Sequence, residues 1–212
     1  MKWMLIKKNP NHNNKFRHYR LYKKILADEQ DNHCVYCGLK DVRLGGIGIF
    51  HVEHYKPKSI FLDLEHNYLN LFYCCPICNR FKGNDWPNDP DEHLSVPCYP
   101  NPQETDYNTI FEWSSDFRLF GNNPASVYII EKLYLNRPQL IKERRFFSSL
   151  NKLNWMINEA RNLMEKLEKS DDNMVEAVAR ENIKLTRAVV DSTQELIEAF
   201  LRSSYTENDI KR

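Results

Sequence analysis

The chain has 212 residues, 42% of them hydrophobic and 28% charged, with a net charge of +1. That length holds one sizeable core, or a compact module with a second lobe, and excludes several large domains. The near-neutral balance gives no global signal for nucleic acid, so any such argument rests on local patches.

Charge is unevenly spread along the chain. Within 1–24 the cations Lys2, Lys7, Lys8, Lys15, Arg17, Arg20, Lys23 and Lys24 meet no acid, whereas 85–106 holds acids and no Lys or Arg. Such an arm either grips phosphates, with an affinity that falls as salt rises, or is a solvated tail and helix face. The apolar run at 3–6 is too short for a secretory h-region and nothing later approaches a membrane span, so a cytoplasmic protein away from membranes is expected. In that reducing setting, six cysteines with two Cys-x-x-Cys pairs argue for metal before disulfide.

In chain order, Phe16, Tyr19, Tyr22 and Leu26 recur at spacings of three or four and predict an amphipathic helix over 15–30, with Asn14 as its N-cap and the aromatic stripe turned to the core. Cys34-Val35-Tyr36-Cys37-Gly38 reads as a knuckle, two thiols on a tight turn with a glycine free to take positive φ. A strand is predicted over 49–55. Ideal alternation would put Glu53 and His54 on opposite faces, so a bulge or a strand end is needed if both serve one site. Pro57 stops this strand, and the loop after it carries Phe61, Leu62 and Leu64 to tuck inward. A second strand is predicted over 68–74, and Pro76 then opens a short helix over 77–82, ended by Gly83.

The Pro-, Asp- and Asn-rich segment 87–102 should be loop, and 110–113 with 117–120 suggests a hairpin. Helices are predicted over 125–133 and 137–168, the second with Leu153, Ile157, Ala160, Met164 and Leu167 along one face. Ser170-Asp171-Asp172 supplies a turn, after which Val178, Leu185, Val189 and Leu196 mark another long helix, packed antiparallel on the one before. The expected class is α+β: an N-terminal domain at 1–123 and a mainly helical C-terminal domain at 124–212.

Cys34, Cys37, Cys75 and Cys78 form a closed set of four soft ligands, as a structural, tetrahedral Zn²⁺ prefers. Cys74 lies one residue too far from Cys78 for the knuckle spacing and is read as packing, and Cys98 lacks a nearby partner. Glu53 offers a carboxylate for a hard divalent cation, and His54 beside it an imidazole able to deprotonate water. Asn79 adds a neutral oxygen ligand and Lys82 a cation for a phosphate.

With these residues assembled, 34–83 resembles the HNH endonucleases in their zinc-stapled version, a ββα-metal fold: Glu53-His54, then Pro57, Asn70-Leu71, and Cys75-x-x-Cys78-Asn79-x-x-Lys82-Gly83. The resemblance implies His54 as general base, Asn70 as the residue that positions the His54 loop or ring, and Glu53 with Asn79 as ligands of a catalytic Mg²⁺ or Mn²⁺. Two departures are Glu53, where many members have Asp, and Asn79, where many have His. His51 matches no motif position. A narrower similarity, through Leu133-Tyr134-Leu135-Asn136-Arg137-Pro138, Leu140 and Arg144-Arg145, is to the HNH nucleases paired with an ABC-type ATPase in Septu and some retron anti-phage systems. It implies a nucleic-acid substrate, DNA before RNA, and an ATPase docked on the C-terminal helices. The alternative is a zinc-stapled binding or docking module whose nuclease centre is silent. A third reading, with His51, Glu53 and His54 as catalytic zinc ligands, is disfavoured by their crowding on one strand.

Overall fold

The computed structural model describes residues 3–13, 15–168, 182–184 and 186–195. Contacts divide the chain after Arg144 into two units.

The first unit is built on a two-stranded antiparallel sheet. Strand β1 (His51–His54) pairs with β2 (Leu71–Cys74), with His51 opposite Cys74 and His54 opposite Leu71. Helix α1 (Lys23–Glu29) precedes the sheet and α2 (Pro76–Lys82) leaves directly from β2. Every residue of β2 is buried, which requires that its outer backbone groups find partners. They do: Val35 N donates to Tyr73 O at 3.0 Å, and the buried Gln30 side chain receives Tyr73 N–H and donates to Tyr73 O, each at 2.8 Å. Gln30 thus acts as a neighbouring strand and closes the sheet edge.

Local side-chain bonds shift several element boundaries from those predicted. The helix expected over 15–30 begins later, as a 3-10 turn Tyr19–Tyr22 followed by α1, because extended His18 caps the turn by accepting from Arg20 N. The predicted cap Asn14 lies outside the described residues. Tyr19, Tyr22 and Leu26 are buried, so the aromatic stripe is core. Likewise the strand expected over 68–74 starts only at Leu71, because Asn67 accepts from Leu69 N and folds Tyr68–Asn70 into a 3-10 turn.

Part of the basic arm is structural. Trp3 and Ile6 are buried, with Trp3 Nε1 donating to Tyr36 O at 2.9 Å. Lys8 Nζ lies 4.4 Å above the Tyr68 ring and 4.5 Å above the Phe72 ring and donates to Leu71 O. Burial pushes the Lys8 ammonium down to about 7, against the pull of Glu29.

After the 87–102 segment come α3 (Tyr107–Ile110), a hairpin of β3 (Phe111–Trp113) and β4 (Leu119–Gly121), and α4 (Pro124–Lys132), begun by a reciprocal Asn123–Ser126 capping box. The core of the first unit runs past the sequence-based boundary at 123/124. Leu133, Leu135 and Leu140 join the core of the first unit. Asn136 pairs with Leu119 as a strand would, accepting from its N–H at 2.7 Å and donating to its carbonyl at 2.8 Å, and the buried Arg144 donates to Asn136 Oδ1 and Phe117 O. Helix α5 (Pro138–Glu168) begins in this unit.

In the second unit, Ile157 and Met164 of α5 and Val190 of a following helical segment are buried together, with Leu150, Ala160 and Ile183 against them. Two predicted seam positions fail. Leu153 is exposed, and Val189 is 65% exposed while its neighbour Val190 faces inward, the 100° rotation of a one-residue error in phase. Val178, Leu185 and Leu196 lie outside the described residues.

The depressed Lys8 value has a thermodynamic consequence. Between about pH 7 and the unfolded-chain value near 10.5, the unfolded chain binds a proton that the folded chain has released, so stability gains with rising pH in that window. Lys8→Met should remove this contribution, seen as a flatter dependence of the urea midpoint on pH between 7 and 10 than in the parent protein.

Candidate active site and metal centre

The knuckle folds as its sequence requires: Gly38 takes φ +65° and its N–H donates to Cys34 O at 2.9 Å. Cys75 caps α2, its sulfur accepting from Cys78 N at 3.3 Å, and Pro76 occupies the first helical position. These two turns bring the sulfurs of Cys34, Cys37, Cys75 and Cys78 within 4.8 Å of one another, all buried. Four metal–sulfur bonds of about 2.3 Å in a tetrahedron place the sulfurs about 3.8 Å apart. Cys37 and Cys75 Sγ are 3.8 Å apart, so the set fits a closed, soft, four-coordinate ion. Cys74, although 3.8 Å from Cys34, is not part of the mutually close set, and Cys98 is buried outside it.

Arg137 completes this centre from the far side of the sequence. Both its Nη atoms lie 3.9 Å from Cys78 Sγ, and Nη1 also donates to Leu133 O at 3.3 Å. A cation fixed there would offset the excess negative charge that four thiolates around one divalent ion carry.

His54 is the last residue of β1, and the register to Leu71 runs without interruption. Glu53 and His54 therefore face opposite ways, as ideal alternation requires, and the strand end rather than a bulge frees His54 to turn toward the loop. His54 is 8% exposed, with Nε2 2.9 Å from Glu65 O. A carbonyl only accepts, so in the neutral ring Nε2 carries the proton and the lone pair falls on Nδ1. Burial holds the His54 pKa below the usual histidine range, with the Glu65 carbonyl opposing, so the neutral, proton-accepting form is favoured.

Asn70 fixes the loop that supplies that carbonyl. Its Oδ1 accepts from Lys56 N at 2.8 Å, and its Nδ2 donates to Lys56 O at 2.9 Å and to Leu64 O at 3.3 Å. One buried amide thus ties both ends of the 56–64 loop, next to the carbonyl that orients His54.

On the other face of β1, Glu53 is buried and paired with Lys82 Nζ at 2.8 Å, and the same ammonium donates to His54 O at 2.9 Å beneath the Tyr99 ring. Burial pushes the Glu53 carboxyl up, with Lys82 pulling it down. Lys82 itself is 1% exposed. Its charge leads one to expect that Lys82 holds a phosphate; here its ammonium sits in a buried pair that ties β1 to α2, and breaking a buried pair costs about 3–5 kcal/mol. Asn79 lies one turn earlier, with Nδ2 3.0 Å from Nδ1 of the exposed His51. Donating there leaves Asn79 Oδ1 as a free oxygen donor. Of the two oxygens expected to share a hard cation, that of Asn79 is accessible and that of Glu53 is engaged by an ammonium.

The side chains that sequence reasoning missed act through geometry that carries no residue-type signal. The Glu65 contribution is a backbone carbonyl. Tyr19, edge-on to His54 with ring centroids 4.6 Å apart, was legible only as core.

Residues 34–85 match the family model of the HNH endonuclease, so the sheet, α2 and four-cysteine set described above form an HNH endonuclease domain. Over most of its length the chain is similar to the Septu protein PtuB of Bacillus thuringiensis, with 28% identity over 186 residues, 87% of this chain. The chain spans 65% of the length of that curated relative. No solved structure matches.

Two outcomes test this geometry. Asn70→Ala leaves the Lys56 N–H and two loop carbonyls without their partner and should lower unfolding stability by about 1–3 kcal/mol in urea titration. In protein loaded with Zn²⁺, Arg137→Ala should speed loss of that ion to a colorimetric chelator by about tenfold, while all four cysteines remain.

Proposed function

We propose that the protein is a metal-dependent endonuclease that hydrolyses nucleic-acid phosphodiester bonds, with DNA as the first substrate to test. The observation that carries this reading is the His54 arrangement: a buried, neutral imidazole oriented through Nε2 by the Glu65 carbonyl, in a loop tied by Asn70. Nδ1 of His54 takes the proton from the attacking water. Asn70 keeps the base in place, and Lys82 fixes the β1 backbone on which both Glu53 and His54 are mounted. Asn79, and Glu53 once released from Lys82, would be the oxygen donors for a hard divalent cation, Mg²⁺ or Mn²⁺, which when bound would stabilise charge on the phosphate and leaving oxygen. Cys34, Cys37, Cys75 and Cys78 hold a structural Zn²⁺, for which four buried thiolates are the preferred donor set.

The similarity to a Septu protein supports a place in anti-phage defence. The resemblance to nucleases paired with an ABC-type ATPase supports such a partner on the C-terminal helices. There α5 exposes Trp155 at 62% and Met156 at 52%, large apolar side chains of the kind that protein interfaces cover.

Purified protein, alone and with the product of a neighbouring ATPase gene, should cut plasmid or single-stranded DNA in Mg²⁺ or Mn²⁺. His54→Ala should reduce the rate by about 10²-fold or more. Equal cutting by that variant would remove His54 from the chemistry, and DNA binding without cutting under every condition would favour the silent docking module.

A further inference from the structure

We infer that the surface around Tyr19 is a cradle for the phosphodiester backbone, built beside His54 to present nucleic acid to it. The inference rests on the nuclease reading and adds the residues that hold the substrate.

Tyr19 is 8% exposed, and its ring meets the His54 ring edge-on. The same tyrosine collects four basic side chains. His18 stacks on it at 4.7 Å with 24° between planes, Lys58 Nζ sits 4.7 Å from its centroid, Arg20 Cζ 5.7 Å, and the His66 ring 6.2 Å. His18 and His66 are themselves 6.0 Å apart. His18, Arg20 and His66 are exposed, and Lys58 keeps 42% of its side chain in solvent. They arrive from two separate stretches, the turn that opens α1 and the β1–β2 connection, so no local sequence periodicity explains their meeting.

Two formal cations, Arg20 and Lys58, together with the imidazole N–H donors of His18 and His66, gather on one surface and make a donor set suited to an anion. Among the described residues the carboxylate paired into the cluster is Glu65, 2.8 Å from Lys58. Glu65 is also the residue whose carbonyl orients His54, so the acid that pairs Lys58 and the group that orients the base are on one residue. A backbone phosphate arriving at Lys58 takes its ammonium from Glu65, while Arg20 and the imidazoles offer N–H donors to the same or the adjoining phosphate. Tyr19 contributes by fixing these groups beside the catalytic ring.

The test is fluorescence anisotropy on protein carrying His54→Ala, without added divalent cation, using a labelled DNA duplex and its single strand over a range of NaCl. Adding Arg20→Ala and Lys58→Ala should weaken binding by about tenfold at moderate salt and lower the slope of log affinity against log salt by about one to two, because two phosphate contacts are lost. Glu65→Gln, which frees Lys58 and keeps the carbonyl, should tighten binding. Lys24→Ala is the control, an exposed cation paired with Asp28 at 2.6 Å on α1, and should leave binding unchanged. The inference is overturned if the double variant keeps the parent slope, if Lys24→Ala weakens binding as much, or if no DNA binds. If His54→Ala does not fold, the same series in the His54-intact protein gives the same readout. Binding that follows these rules in a protein that never cuts would sink the nuclease reading and leave the cradle standing.

Discussion

Four sulfurs drawn within 4.8 Å set the frame on which the rest of the HNH domain hangs. Four buried thiols with no ion between them would trade solvation for weak S–H contacts, whereas a metal converts their approach into bonds that contribute ~10 kcal/mol or more to folding. Because one pair lies on the Cys34 knuckle and the other at the start of α2, that closure brings α2 and β2 against the segment that follows α1. The small sheet then has Gln30, Val35 and Lys8 along its edge to leave β2 buried at every position.

On this frame β1 separates two tasks by the alternation of its side chains. One face carries Glu53, locked to Lys82, beside the His51–Asn79 pair; the other turns His54 toward the loop that Asn70 holds. Lys82 joins the two by gripping both the Glu53 carboxylate and the His54 carbonyl. An imidazole held by a backbone carbonyl keeps its orientation whatever occupies the opposite face of β1. The engagement of Glu53 by an ammonium means that any cation arriving there would compete with an internal ion pair.

The residues after the hairpin serve the same frame from behind. Asn136 completes β4 as an artificial strand, Arg137 rests on Cys78, and Arg144 is buried among carbonyls. The Leu-Asn-Arg-Pro stretch thus belongs to the core of the first unit, and among the described residues α5 beyond Arg144, with the segment that packs on Ile157 and Met164, forms a second unit.

Much of the site was legible in the order of residues. Ligand chemistry and spacing alone singled out Cys34, Cys37, Cys75 and Cys78 over Cys74, because a knuckle tolerates two intervening residues and a metal selects thiolates; the position of Pro76 and Gly83 marked α2 for the same local reason. The pairing of Glu53 with His54 and the placing of Asn70 followed from a motif. What the tertiary structure decided is who meets whom. That the Lys82 ammonium pairs with Glu53, that a backbone carbonyl orients His54, that Val190 and not Val189 faces inward, and that Tyr19 gathers His18, Arg20, Lys58 and His66 all depend on contacts between distant segments. No residue type announces such contacts, because burial and partner choice are properties of the packed chain.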